Sequence, residues 1–432
     1  MTVFNPGLAL LIIFGIAFFL MFFRFPIYLC LSVGCLVFSF VSGMVPMAVF
    51  GQGIINGLSN QSLVAIALYF LLGSIMNNTG LTERLVKFVK SMIGHIPGAL
   101  SHINILASIV FAGVSGSSMA DTASVGALMI PMMKKEGYPA GYAAAVTEVS
   151  SSIGPIIPPS TGMIVLAMYF GVSVRRLFIG GIIPGLLLGL FQLIISVVIS
   201  KRRHFPCTPF QGWKHVASTA KDGFFAALLP VATMVCLVAG VGTVVEVAAF
   251  SVVAALIIAA AYKELTWKSF FKSLENVGCQ LASILMMMGA SGIFQWIIDR
   301  LGLGKYLINS LTLFGTSQFA VVTFVTVVYL ILGCFLDSGI LQFVITPLLV
   351  PSLLMLNVNL VWLCVLLVLA IQVGQNTPPV GVLIYITSSI AECNSRDTIR
   401  ESIPYIIGTF TLLLIMMFFP KVITWLPTLI MG

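Results

Sequence analysis

The chain of 432 residues runs from end to end as long apolar blocks separated by short polar punctuation. The hydrocarbon layer of a bilayer takes roughly 20 apolar residues per helical crossing, and about a dozen blocks of that scale can be counted on this rule. Closed β-barrels are the other spanning solution, but they read as short alternating segments. The pattern therefore predicts an all-α polytopic membrane protein. Its first block, Phe4 to Phe23, lacks a basic leader and a small-residue cleavage site, so it reads as a retained span.

Lys and Arg set the orientation. With the N-terminus outside, a first span (about 5–23) ends at Arg24 inside, a second (about 27–44) goes out and a third (about 61–79) returns. Leu81 to Ile93 sets Arg84, Lys87 and Lys90 beside Leu81, Leu85, Val86, Phe88 and Val89, the composition of a short helix lying at the interface. The block 98–133 has a Gly/Ser cluster at its centre and ends at Lys134 and Lys135, as a hairpin that leaves by the face it came from. A broken span (140–170) and a further span (177–200) then reach Lys201, Arg202 and Arg203. Alternation from there, with a second hairpin at 318–355 and a second broken span at 360–390, puts both termini outside. Of the 21 basic residues, Arg175, Arg176, Arg300, Lys305 and Lys421 then lie outside and the other 16 inside. Charge alone does not separate a hairpin from two full spans; the block lengths and the mid-block Gly/Ser/Asp punctuation argue for re-entrance.

Composition narrows the classes further. Charged residues are 8% against 59% hydrophobic, and mean hydropathy is +1.12, where a soluble domain carries about a quarter charged residues. The net charge of +8 is scattered through short loops, which fits positive-inside topology better than nucleic-acid binding. Most of the eight cysteines sit inside apolar runs, with no CxxC pair; the four histidines (His95, His102, His204, His215) lie in loops or near span ends. Neither a transition-metal site nor a disulfide framework is indicated, no cofactor is called for, and no acid/base or nucleophile set for an enzyme converges.

Laying the halves over each other shows a repeat. Gly154-Pro155-Ile156-Ile157-Pro158-Pro159 and Gly374-Gln375-Asn376-Thr377-Pro378-Pro379 share G-x-x-x-P-P at an offset of 220. Pro184 and Pro404 follow at the same offset; upstream, Asp121/Pro131 match Asp337/Pro347, and Gly80-Leu81 matches Gly302-Leu303, with offsets from 216 to 222. Because one half begins outside and the other inside, the repeat is inverted: residues 1–200, a cytoplasmic linker 201–222, and residues 223–432. Inverted repeats with discontinuous helices are typical of secondary transporters that bind at the midplane.

Each double proline falls mid-span, where it deletes a donor and clashes with the preceding turn. Freed backbone is tolerated at that depth only where it faces protein or a water-filled cavity. Loosened carbonyls suit a cation and the following half-helix N-terminus suits an anion. The first hairpin tip, Ala112 to Asp121, offers serine hydroxyls and carbonyls as hard oxygen ligands; small-residue packing explains its glycines but not Asp121. The second tip, Gly333 to Gly339, again carries an acid, Asp337. The two acids either bind cations or cap the hairpins' half-helices. Glu148, just before the first break, is a further candidate for a cation or proton, and Asp121 and Glu148 are the supporting acids of the site. Glu246 falls at an outer turn, and Arg175 and Arg176 mark a loop.

At Gly116-Ser117-Ser118-Met119-Ala120-Asp121, Gly154 to Ser160 and Gln375 to Gly381 the chain resembles the large membrane subunit of tripartite ATP-independent periplasmic (TRAP) transporters, and the resemblance covers its whole length. It implies a bacterial or archaeal inner-membrane importer of organic acids, coupled to sodium and working by an elevator motion. The implied partners are a periplasmic substrate-binding protein and a small four-span membrane subunit on a separate polypeptide. It further implies one sodium among Ser115, Gly116, Ser117, Ser151, Ser152 and Gly154, and a second among Gly333, Asp337, Gly374 and Thr377. Substrate is placed near Ser118, Pro158, Pro159, Asn376 and Pro378. Glu148 does not match the family pattern. A one-component ion:dicarboxylate symporter is the nearest alternative, and an ion channel a more distant one.

Overall fold

The computed structural model describes residues 6–43, 45–207, 209–210, 212–303 and 317–432; Lys305 lies outside these. The described residues form nineteen helices and no strand. Six are long and apolar enough to cross a membrane, or seven with one bent pair, and most of the remaining apolar helices have 10–17 residues. Of the dozen or so apolar runs of crossing scale expected from length, several form helices of 16–17 residues among the described residues, such as Pro6–Phe22, Ile27–Ser42 and Ala99–Ser115. Many apolar runs are divided between two shorter helices at a tip or a break, which run length alone does not register.

Helices α1 (Pro6–Phe22) and α2 (Ile27–Ser42) pack closely because Gly34 rests on the Ile13 carbonyl, where a Cβ would come within 2.6 Å. Helix α3 (Met47–Leu58) lies between 44 and 61, where the apolar pattern predicts no element. It is joined to α4 (Ser62–Asn78) at a bend of 55°. Its glycines gave it a weak helical signal, yet they let it pack on α13 (Trp267–Leu301), where a Cβ on Gly57 would lie 2.5 Å from the Met288 carbonyl. Helix α5 (Leu81–Ile93) is the amphipathic element. Arg84 on it pairs with Asp222 of α11 (Trp213–Ala239) and with Glu264 just past α12 (Val244–Ala261), and its guanidinium lies 4.4 Å from the Tyr262 ring centroid. The bond to Glu264 is the main cause that holds this guanidinium protonated beyond its ordinary range. Thr243 and Glu246 form a reciprocal capping box at the start of α12, so Glu246 has a structural task. These helices, α1–α5 and α11–α13, make an outer body with exposed Phe18, Phe22, Trp213, Phe250 and Trp267.

The remaining helices form an inner body in two matching series. The first is α6 (Ala99–Ser115), α7 (Ser118–Lys135), α8 (Ala140–Ser151), α9 (Thr161–Phe170) and α10 (Val174–Arg203). The second is α14 (Gln318–Gly333), α15 (Ser338–Met355, with a π-helical turn at Leu341–Ile345), α16 (Leu360–Gln375), α17 (Val382–Ala391) and α18 (Ser395–Phe418), followed by α19 (Lys421–Met431). Arg175 and Arg176 lie in the first turn of α10 rather than in a loop, because the Ser173 hydroxyl caps that helix by accepting from the Arg176 N–H. Both break-bearing helices are enclosed: α8 from Gly141 to Ser151 and α16 from Trp362 to Gln375 are buried at every position. The halves interlock, because α8 packs against α17 and α18 as well as α7, and α16 packs against α9 and α10 as well as α14. Tyr142 and Tyr405 meet hydroxyl to hydroxyl at 3.2 Å, and Lys134 Nζ donates to the Ala391 carbonyl at 2.8 Å.

Candidate functional site

Both hairpin tips dock on the break of their own half. In the first, Ser115 ends α6 and Gly116 takes a left-handed backbone, φ 59°, that turns the chain into α7. The Gly116 carbonyl accepts from the Thr161 N–H at 3.3 Å and from the Thr161 hydroxyl at 2.9 Å, and a Cβ at Gly116 would run into the Pro159 carbonyl. In the second, the Cys334 carbonyl accepts from the Gly381 N–H at 3.2 Å, and Gly333 and Gly374 meet backbone to backbone. The Pro158-Pro159 and Pro378-Pro379 peptide bonds are both cis.

The two acids divide the roles left open by the sequence. Asp337 is the N-cap of α15 and accepts from the Gly339 N–H at 2.9 Å; its other oxygen accepts from Gln375 Nε2 at 3.3 Å. Asp121 is not a cap. It lies in the first turn of α7, fully buried, with one oxygen on the Ser115 hydroxyl and the other, Oδ2, without a partner and against Gly154. An unpartnered carboxylate oxygen among Ser115, Gly116 and Gly154 is the chemistry of a site for a hard cation. Ser151 and Ser152 also lie at this break, with their hydroxyls donated to the Thr147 and Val149 carbonyls at 2.7 and 2.5 Å. In the second half, Gly333 and Gly374 meet and Asp337 reaches Gln375, next to Gly374, while the Thr377 hydroxyl donates to the Val373 carbonyl at 2.6 Å and keeps its lone pairs.

A cavity of about 410 Å³ lies between the tips and the outer body. Ser117, Met119, Thr161 and Asp337 line it from the inner body, and Phe70 and Gln280 from the outer. Ser117, the N-cap of α7, makes no side-chain cap, so the first N–H groups of this 18-residue helix are left for an anion. Ser118 donates to Gln375 Oε1 at 3.4 Å and ties the first tip to the second break. The residues named for substrate do not line this space: Pro158 and Pro159 are buried, Asn376 is buried with Oδ1 unpartnered, and Pro378 is partly exposed. The cavity takes polar groups that the sequence reading missed, among them Gln280 and Ser283 on α13. With Asn276 they recur at helical spacing inside an apolar run, a signal available without the structure. A second cavity of about 250 Å³, with Asn77, Asn78, Ser124 and Asn276 in its lining, shares Phe70, Ala120, Ala123 and Gln280 with the first.

Comparison with known proteins bears on this arrangement. The family model of the tripartite ATP-independent periplasmic transporter, DctM component, matches residues 14–422. The sialic acid TRAP transporter large permease protein SiaM of Vibrio cholerae is 31% identical over 96% of this chain and 97% of that protein. The C4-dicarboxylate TRAP transporter large permease protein DctM of the same species is 27% identical over 94% and 95%. Against the sialic acid TRAP transporter permease protein SiaT of Haemophilus influenzae the identity is 31% over 88% of this chain, which spans 62% of that relative's length. In fold, the chain is similar to the crystal structure of the Alcanivorax borkumensis YdaH transporter, with a TM-score of 0.65 and 14% identity over 86% of this chain and 87% of that one.

Proposed function

The chain belongs to the DctM component family, the large permeases of tripartite ATP-independent periplasmic transporters, and from that premise we propose that it is the translocating subunit of a sodium-coupled importer of small organic acids. It works in the bacterial inner membrane, both termini outside, with a small membrane subunit and a periplasmic binding protein. The observation that carries the reading is the cavity at the meeting of both tips, the uncapped α7 N-terminus and the outer body. A carboxylate bound there takes the free N–H groups of α7, and the Gln280 side chain fixes its orientation. Sodium ions at the Asp121 and Asp337 tips supply the positive charge that the cavity otherwise lacks. Each tip is held against its break through backbone contacts, so occupation of the cation sites stiffens the walls that hold the substrate. The inner body, bonded internally across α8, α17 and α18, then moves as one piece against the outer body, which is an elevator motion. The relatives named for sialic acid and C4-dicarboxylates are consistent with a carboxylate cargo.

Reconstitution decides the matter. In proteoliposomes, uptake of a carboxylate panel is measured with an inward sodium gradient, with and without the small subunit and binding protein. Saturable uptake that needs the gradient and both partners is expected. Full uptake by this chain alone makes it a one-component symporter, and conductance without saturable uptake makes it a channel.

A further inference from the structure

Glu148 has no task in this reading, and its surroundings are unlike those of an ionised group. It is fully enclosed on α8, and Oε2 meets the Ser402 hydroxyl of α18 at 2.8 Å while Oε1 has no partner. Ser402 has one hydrogen and a second neighbour, the Thr398 carbonyl at 2.9 Å. A carbonyl can only accept, so when the serine hydrogen goes to Thr398, the bond between Ser402 and Glu148 needs a hydrogen from the carboxyl. A neutral Glu148 closes the chain: Oε2–H donates to Ser402 Oγ, and Ser402 Oγ–H donates to the Thr398 carbonyl. A carboxylate must pull the serine hydrogen off Thr398 and still leaves one ionised oxygen bare in the interior.

The charged groups on the elements around α8 are engaged elsewhere. On α18, Glu401 pairs with Arg203 of α10, Tyr405 meets Tyr142, and Asp397 stands beside Gly141 at the far end of α8. On α7, Lys134 is directed to Glu392 and the Ala391 carbonyl, and Asp121 is held by Ser115. His102 on α6 contacts Ser196 and the Pro97 carbonyl. On α17, Tyr385 is exposed. The other charged side chains of α7, α10 and α18 lie at the helix ends and are not fully buried: Lys135; Arg175, Arg176, Lys201 and Arg202; Arg396 and Arg400. Among the described residues no cation contacts Glu148, and its one side-chain hydrogen-bond partner is Ser402, which suits a proton, since a proton needs one acceptor and a metal ion several.

We propose that Glu148 is a proton-binding site of the inner body: the carboxyl stays protonated while that body moves, and its ionisation to bulk water at alkaline pH stops uptake by loosening the α8–α18 seam. No bond other than the O–H is made or broken. This rests on the transport reading above, and the test separates the two.

Infrared spectra of the purified complex of full chain and small subunit are compared between the natural protein and Glu148→Gln, alongside sodium-driven uptake at stepped pH. A neutral carboxylic C=O band present at neutral pH and missing from the variant is expected. Uptake by the natural protein should fall about tenfold per pH unit past the midpoint, the slope of a single-proton titration, whereas the variant keeps a flat profile whatever its level. Absence of the band, parallel pH profiles, or a band removed by sodium at constant pH would each overturn the proposal; the last outcome assigns the site to sodium. If Glu148→Gln fails to reach the membrane, Ser402→Ala must move the band, and an unmoved band is equally decisive. A natural protein that transports under no condition defeats the transport reading and leaves the band to decide the proton.

Discussion

Gly374→Ala tests the contact on which the proposed second cation site depends. A Cβ at this position would lie 2.7 Å from both Cα and C of Gly333 and 2.8 Å from the Leu330 carbonyl. All three are backbone atoms of α14, so no side chain can rotate away. Restoring ordinary contact requires the tip and break to part by about 0.7 Å, in an interior packed as densely as a crystal. Overpacking of this kind costs about 1–3 kcal/mol. Gly333 and Gly374 belong to the proposed site with Asp337, so the strain should appear in sodium binding, as a loss of apparent affinity of about 5- to 150-fold. The reciprocal change, Gly333→Ala, meets Gly374 Cα at 3.3 Å and should be milder, and Gly278→Ala, with nothing within 4 Å, should be silent. The assay is initial uptake against sodium concentration in proteoliposomes, with surface expression measured in parallel. An unchanged sodium dependence in Gly374→Ala, or a larger defect in Gly333→Ala than in Gly374→Ala, would refute the reasoning.

Ser117→Ala and Thr377→Ala should weaken sodium dependence while leaving membrane insertion intact, and unchanged dependence in both, read from sodium titrations of uptake, sinks the assignment of cations to the tips. Gln280→Ala removes a polar group shared by both cavities and should raise the KM for substrate about 2- to 12-fold, the worth of one hydrogen bond, with the sodium dependence intact. Arg84→Ala breaks partly exposed pairs between α5, α11 and α12; about 1 kcal/mol of stability should be lost, seen as a lower Tm in detergent that high salt partly conceals in the natural protein.

The places where the sequence was legible share a physical trait. Gly and Pro at a helix interruption leave a local signature, so the tips at Gly116 and Asp337 and the breaks at Pro158 and Pro378 could be read as residues. Helix α5 was legible to its ends because its apolar and basic residues alternate with helical period. Helix α3 was not, since its value lies in the absence of side chains at Gly53 and Gly57, and the use of that absence is visible only once α13 is beside it. The same holds for the cavity: the resemblance implied Ser118, Pro158, Pro159, Asn376 and Pro378 near substrate, whereas Thr161 and Gln280, which line the cavity, carry no such signal in a motif. Which of the two acids caps its half-helix depends on a four-residue difference in position. Asp337 immediately precedes its half-helix, whereas Asp121 begins one turn into α7, too late to cap it.

The interlocking of α8 with α17 and α18 constrains the birth of the protein as well as its motion. Glu148 emerges from the ribosome about 250 residues before Ser402, which at about 5–20 residues per second is a delay of some 12–50 s. Throughout that time a helix rich in small residues, with an acid in its last turns, has no lasting neighbour on one side. The insertion machinery, or the first hairpin alone, must shield it from lipid until the final quarter of the chain is made. Chains cut short before α17 should therefore be degraded early, and the damage should trace to the first half rather than to the segment that is missing.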